Sequence, residues 1–314
     1  MPIRKQANAA KSESFTIALP ATSANLGPAF DAAALAISMF LHVRAKPAKE
    51  FSIRARGCDT EICGRMEEHL VLTTYREVLR LEGHPIVPLA LELDNEIPIG
   101  KGCGSSAAAR LAGIALTNHY GKLNWTDDRI MGEAARREGH VDNVAACWMG
   151  GLAFGRISDE GEANVARILP KGKWPLLLVV PEERLPTEQA RGVLPKLYTR
   201  ADAVANIQNS MLLAAAFTQG RSELLPTALE DRMHQPYRAR LCPLLPALRS
   251  LSKSEGILGV ALSGAGPSVL IFLAPGASFS GIRRRVRAHL AAHGLSATLI
   301  DATITLRGAS QSLR

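Results

Sequence analysis

Apolar positions along this chain recur with two periods, and each period marks a different kind of element. Phe15–Leu19 and Phe51–Arg56 alternate apolar residues with polar or small ones, as strands do. Ala32–Phe40 and Leu41–Ala45 form a further apolar stretch, separated from the first strand by a turn-rich loop at Ala21–Phe30. Over Glu67–Glu82 the spacing becomes helical, with Leu70, Val71, Thr74, Val78 and Leu81 on one side. Leu89–Leu93 reads as a strand, Ser105–Tyr120 and Asp127–Glu138 as helices, and Leu152–Ile157 as a strand; Thr126 is placed to cap the second helix.

The pattern restarts between Glu160 and Trp174. Leu176–Val180 is a strand, Asp202–Phe217 and Leu241–Ser252 are helices, and Ile257–Leu262 with Val269–Leu273 make a strand pair. A basic helix at Phe279–His293 and a last strand at Ala297–Thr305 follow. This β-α-α-β-β-α-β order predicts an α+β layer, not a doubly wound sheet. Two domains are expected, 15–160 and 161–308, after a flexible basic tail at 1–14. Gly256–Ile282 carries no charge, but Gly264, Gly266, Pro267 and Pro275 interrupt it, so it reads as two buried strands and not a membrane span.

Composition narrows the function. With 47% hydrophobic residues over 314 positions, 21% charged and no low-complexity tract, the chain can bury substantial cores and is not disordered. A formal charge of +8 suits either nucleic acid or a site for anionic ligands. The basic residues are dispersed, apart from the tail and Arg283–Arg287, and aromatics are only 5%, leaving few stacking platforms. An anionic small ligand is favoured, with no nucleic-acid and no membrane partner. Cys58, Cys63, Cys103, Cys147 and Cys242 form no CxxC pair, which suits a reducing cytoplasm better than zinc or disulfides. The first fourteen residues lack the apolar core of a signal peptide.

The chemistry concentrates in four loops. In Ile97–Ala109, Gly100, Gly102 and Gly104 alternate and Ser105 and Ser106 open a helix. Glycines let backbone N–H groups turn inward and a helix N-terminus adds partial positive charge, together an anion cradle suited to phosphate. The loop is neither GxxxxGK[ST] nor GxGxxG. A glycine-rich turn before a helix is by itself more often only a turn; the Pro98 entry and the double serine make this one more specific. Pro20–Asp31 offers Thr22, Ser23, Asn25 and Asp31, which could equally be turn and cap residues. Glu138–Ala146 places His140, Asp142 and Asn143 within four positions, either a metal half-site or a capped loop. Ser263–Pro267 is a Ser-Gly-Ala-Gly-Pro turn between strands. Arg191 and Arg238, taken alone, read as surface charges.

These segments resemble, in order, the motifs of the homoserine kinases, a branch of the GHMP kinase superfamily. Pro98, Gly102, Gly104, Ser105, Ser106 and Ala107 fit the superfamily phosphate loop, and Ser263–Pro267 fits its third motif. Thr22–Asp31 is similar to the family's S/T-S-A-N-L-G-P-G-F-D with Ala29 for glycine, and Glu138–Ala146 to EGHPDNVAP with Val141 and Ala146 for prolines. Thr187–Pro195 resembles T-x-x-A-R-x-x-L-P, and Met233–Arg238 resembles L-H-Q-P-x-R.

The resemblance implies the two-domain GHMP kinase fold, with a ribosomal-protein-S5-domain-2-like N-terminal domain and a ferredoxin-like C-terminal domain. It implies transfer of the ATP γ-phosphoryl group to the side-chain hydroxyl of L-homoserine, with Mg²⁺, by a cytoplasmic enzyme; a homodimer is expected. Asp31 should meet the substrate ammonium with His140 and Asp142 nearby, Arg191 and Arg238 its carboxylate, and Asn25 its hydroxyl, with Gly264 alongside. Pro98, Ile99, Gly100, Lys101, Gly102, Cys103, Gly104, Ser105 and Ser106 should hold the phosphates. His69, in place of a family asparagine, should lie near adenine. Ser106 could touch Mg²⁺. Arg136 stands where the family commonly carries a further acid, leaving Glu133 or Glu138 for that role. No general base is assigned, with Asp142 an option. The other readings are a GHMP kinase for a different small alcohol, indifferent to loss of Arg191, and a silent binding protein on the same fold, to which only Arg136 points.

Overall fold

The computed structural model describes residues 14–252 and 254–313; the expected tail lies outside them but for Ser14. Six strands form the first sheet: β1 (Phe15–Asn25), β2 (Ala29–Pro47), β3 (Ser52–Gly57), β4 (Leu89–Asn95), β5 (Leu152–Ile157) and β6 (Ala163–Ile168). β2 is the spine. It pairs along one edge with β1, while its other edge meets β5 at Ala33–Leu35 and β4 at Leu41–Pro47.

Two expectations change here. The loop expected at Ala21–Phe30 is mostly strand: β1 runs through Thr22 and Ser23 to Asn25, and only Leu26–Pro28 turn. The uncharged polar side chains leave the backbone free to complete the ladder, so polarity alone did not make a loop. The two apolar pieces at Ala32–Phe40 and Leu41–Ala45 are one strand. Its first part is buried on both faces and its second alternates, which is why it read as two.

The helix Leu70–Leu81 packs Val71, Leu72, Tyr75, Val78 and Leu79 inward, whereas Leu81, expected inside, is 73% exposed at the helix end. Ser105–Tyr120 and Asp127–Glu138 are helical as expected, and Thr126 accepts the Arg129 N–H as N-cap. A helix at Asp142–Met149 was not foreseen; it packs on β1, β2 and β5.

The second sheet is antiparallel in the order β10 (Thr298–Thr303), β7 (Pro175–Val180), β9 (Val269–Leu273), β8 (Ile257–Leu262). This is the ferredoxin-like order. Along β7 the side chains alternate between faces. Leu177 and Val179 join the helices Leu244–Arg249 and Phe279–Ala292, while Leu176, Leu178 and Val180 join the large core shared with the first sheet. Phe217, from the helix Arg200–Gln219, stacks near Trp174 and Phe272 in that same core. The Ile37–Ile304 bridge and the Thr303 N–H donating to Ser38 Oγ also link the two sheets.

Candidate active site

The ends of these elements line an open cleft. One wall is the glycine loop. Gly102 and Gly104 have φ of 76° and 71°, and a Cβ on Gly104 would sit 1.8 Å from Thr22 Oγ1. On Gly102 it would sit 2.2 Å from Ser263 O. Only glycine satisfies both the left-handed turn and the approach. The helix Ser105–Tyr120 starts here with no side-chain cap and no acid in its first turn, leaving its N–H groups available to an anion. Cys103 is buried behind the loop, and desolvation pushes its thiol up to about 12, so it is a neutral packing residue.

Three loops are knitted together at this wall. Ser263 Oγ donates to Gly102 O at 2.7 Å and lies 2.9 Å from Ser23 Oγ. The Gly264 N–H donates to Ala24 O at 3.0 Å, and the Thr22 N–H to Cys103 O at 3.0 Å.

The opposite wall carries the charged groups. Arg191 binds the Asp31 carboxylate at two points, 2.7 and 2.8 Å. Asp31 is left-handed, with φ 53°, and Asn25 and Leu26 share that region of backbone space. Such residues cost of order 1–3 kcal/mol each and collect at functional loops. Asn25 holds the strained turn: its Oδ1 accepts the Asp31 N–H at 2.9 Å and its Nδ2 donates to Gly264 O at 2.8 Å. Ala29, where relatives in the family carry glycine, keeps an ordinary negative φ, so its methyl group costs nothing there.

Arg238 is only 1% exposed yet borders the cleft. Its Nε donates to Ala190 O at 3.0 Å, and no carboxylate pairs with it among the described residues. Burial, then the neighbouring Arg191 charge, push its pKa down, though arginine stays protonated. A buried cation facing a cleft without a counter-ion is a receptor for an anion. The Phe30 ring lies 5.6 Å from the Arg191 guanidinium and 5.2 Å from that of Arg238.

At the cleft floor, Asp142 Oδ1 accepts from His140 Nδ1 at 2.8 Å and from the Asn143 N–H at 2.6 Å. Burial alone would lower the His140 pKa, but the bond to Asp142 and the charges of Asp142, Glu138 and Asp31 more than offset it, and the net direction is upward. Asn143 Oδ1 accepts from Thr22 Oγ1 at 2.6 Å. Ser106 Oγ donates to Glu138 Oε1 at 2.6 Å, and Arg110 reaches the same oxygen at 2.6 Å.

The structure thus brings Asn25, Asp31, His140, Asp142, Arg191, Arg238, Gly264, Glu138 and most of the glycine loop to one cleft. Pro98, Ile99 and Lys101 do not line it: the Ile99 N–H donates to Asp59 Oδ2, which anchors the loop from behind. Glu133 is turned away, buried under Arg136 and Arg137, so of the two candidate acids only Glu138 faces the cleft. His69 also lies off the cleft lining; its Nε2 meets Cys63 O at 3.1 Å and its Nδ1 is buried without a partner among the described residues.

Sequence reading missed His234, Asp231, Asn206 and Phe30. His234 lies within the segment quoted for Arg238, and Phe30 beside Asp31, so proximity could have flagged both. Asp231 and Asn206 carried no local signal.

Residues 69–151 match the GHMP kinases N terminal domain and residues 213–292 the GHMP kinases C terminal domain. Fold and site together define a kinase of the GHMP class. The chain is 45% identical to the homoserine kinase of Solibacter usitatus over 83% of its length and 86% of that protein's. It is 34% identical to the homoserine kinase of Deinococcus radiodurans over 94% and 95% of the two chains. It therefore belongs to the homoserine kinase family of the GHMP kinases. Among solved structures, a homoserine kinase from Cytophaga hutchinsonii superimposes with a TM-score of 0.80 at 23% identity, over 95% of this chain and 97% of that one, showing the shared fold. A putative homoserine kinase from Listeria monocytogenes does so with a TM-score of 0.73 at 26% identity, over 94% and 97%.

Proposed function

We propose that this protein phosphorylates the side-chain hydroxyl of L-homoserine from ATP, and that the cleft is its active site. The observation that carries the reading is the juxtaposition of an anion cradle with Asp31, Arg191 and the counter-ion-free Arg238. A zwitterion beside a polyphosphate is the ligand pair that satisfies every one of these charges.

In this reading Arg191 and Arg238 bind the substrate carboxylate, Arg191 leaving Asp31 to do so, and Asp31 receives the ammonium. His140 and Asp142 border the same pocket. Asn25 retains one amide hydrogen and one lone pair beyond its two bonds, enough to orient the reacting hydroxyl. The loop amides of Gly102–Ser106 hold the β- and γ-phosphates and stabilise the charge that spreads on the transferred group. The chain's own work is positioning and neutralisation: as the hydroxyl oxygen bonds to the γ-phosphorus and the bond to the ADP oxygen breaks, the hydroxyl proton passes to a phosphate oxygen, with Asp142 the optional alternative acceptor.

Ser106 and Glu138 fit a divalent cation: a hydroxyl and a carboxylate side by side at the phosphate cradle are the hard oxygen donors that Mg²⁺ takes. When bound there, Mg²⁺ supplies charge neutralisation on the phosphates. We further read the protein as a cytoplasmic homodimer. Val204, Ile207 and Met211, exposed along one face of the helix Arg200–Gln219, support the dimer. No helix among the described residues is long and apolar enough to cross a membrane.

The test is ADP release from Mg·ATP with L-homoserine, D-homoserine, L-serine, mevalonate, shikimate or no acceptor. Turnover confined to L-homoserine supports the reading. Turnover with another alcohol instead sinks the substrate, and nucleotide binding without any turnover sinks the activity.

A further inference from the structure

The Arg238 guanidinium is held by a residue that none of the steps above uses. His234 is fully buried, its Nε2 2.7 Å from Gly27 O and its Nδ1 3.2 Å from Arg238 Nη1. A carbonyl oxygen only accepts and a guanidinium only donates. One tautomer satisfies both: hydrogen on Nε2, lone pair on Nδ1. The imidazole also stacks on Phe30 at 5.3 Å with a 23° interplanar angle.

The surroundings favour that neutral form. The charged groups about the ring are Asp231, whose Oδ2 is 3.4 Å from Nε2, then Arg238, and Asp31 beyond. Burial, only partly offset by Asp231, pushes the His234 pKa down to about 4. Asp231 acts mainly on the backbone: Oδ2 accepts the N–H groups of His234 and Gln235, and Oδ1 that of Met233 and the Asn206 amide. The ring is therefore fixed at its backbone, its face and both nitrogens.

Without His234 the guanidinium would be held at Nε by Ala190 O and at Nη1 only by the long 3.5 Å approach of Gly264 O; the closer acceptor at Nη1 fixes its plane. We propose that His234 is a positioning residue for the substrate carboxylate, tying Arg238 through Nδ1 to the turn between β1 and β2 so that the Nη2 edge is left for the cleft. This rests on the reading of Arg238 as a carboxylate ligand. A protonated ring would instead turn an N–H and a like charge toward the arginine.

Two substitutions separate positioning from mere filling. His234→Asn places an amide oxygen where Nδ1 was but falls short of Gly27; His234→Gln reaches toward Gly27 but offers Arg238 no acceptor in that place. The expected result is an L-homoserine KM raised roughly tenfold or more in His234→Gln and largely restored in His234→Asn, since a hydrogen bond to a charged group is at stake. ATP KM should stay near wild type in both, and any fall in Tm should be no larger in His234→Gln than in His234→Asn, so that it does not track the change in L-homoserine KM. Equal effects in the two variants, no effect in either, or a loss confined to kcat and ATP KM would overturn the proposal. Arg238→Ala separates the premises: if it leaves L-homoserine KM unchanged, the carboxylate reading itself fails. If it raises KM while His234→Gln does not, only the positioning role fails.

A second measurement needs no variant to fold. In ¹⁵N-histidine spectra of the wild-type protein, the ring with through-space contacts to Phe30 should keep the neutral Nε2–H form down to pH 5. Protonation of that ring by pH 5 overturns the proposal.

Discussion

The Asp31 carboxylate and the Arg191 guanidinium form a two-point pair on one wall of the cleft, at 2.7 and 2.8 Å. Both side chains remain about one-third exposed, so the pair is cheap to open. In the proposed complex each partner exchanges the other for one end of the zwitterion. Charge stays balanced with and without substrate, and neither ion is left unpaired at any stage.

Removing either partner should therefore damage substrate binding more than folding. Arg191→Ala and Asp31→Asn should each raise L-homoserine KM roughly tenfold to a hundredfold, given the value of a charged hydrogen bond. Melting temperature should move little. Steady-state kinetics varying homoserine at saturating ATP would check this, and an unchanged KM would refute the assignment.

The glycine loop makes a sharper demand. Gly104→Ala places a methyl carbon into Thr22 Oγ1 at 1.8 Å, in a backbone region that alanine avoids. Loss of at least a hundredfold in kcat/KM is expected, on the order of 3 kcal/mol of transition-state stabilisation. Calorimetric titration with a nucleotide analogue should show the defect as lost phosphate affinity.

Glu138 gives a metal-specific expectation. Glu138→Gln should raise the Mg²⁺ concentration needed for half-maximal rate several-fold, following the preference of Mg²⁺ for carboxylate oxygen. A chelator should abolish turnover reversibly. A variant with wild-type Mg²⁺ dependence would remove Glu138 from the metal site.

Two histidines should act on stability with opposite signs. The folded-state pKa of His140 is raised, so its contribution is complete below the unfolded value near 6.5 and is lost as pH rises through the folded value. That of His234 is lowered to about 4, so its contribution is complete above about 6.5 and is lost as pH falls toward 4. In denaturant melts the stability advantage of wild type over His140→Gln should be greatest below about pH 6.5 and shrink as pH rises above it. His234→Asn should flatten the acid limb.

Local signals explain which parts of the fold were legible. The helices Ser105–Tyr120 and Asp127–Glu138 could be read to the residue because glycine and Thr126 mark their starts. The helix Asp142–Met149 could not: seven of its eight residues share the DNVAACW run, and all but Asn143 and Met149 are buried, so no polar face reports a period. β6 is half-exposed and short, and only pairing with β5 makes it a strand. In the site, the alternating glycines pointed to an anion cradle only together with the Pro98 entry and the double serine, and the left-handed glycines and uncapped helix start fit that reading. His234 did not announce its role, because its partner Gly27 lies 207 positions away. Glu133 and Glu138 were equivalent on paper, and the helix turn that separates them decided which one faces the cleft.

The Ser263–Gly264 dipeptide has one more consequence. Its first residue grips the glycine loop at Gly102 O, and the carbonyl of its second accepts from Asn25 Nδ2 and lies 3.5 Å from Arg238 Nη1. Any shift of that peptide as the amino acid settles is passed to the amides that meet the phosphates, and the converse holds equally. In the proposed complex, coupling through this peptide would change each ligand's affinity by the same factor, so that occupancy of one half of the cleft is reported in the other.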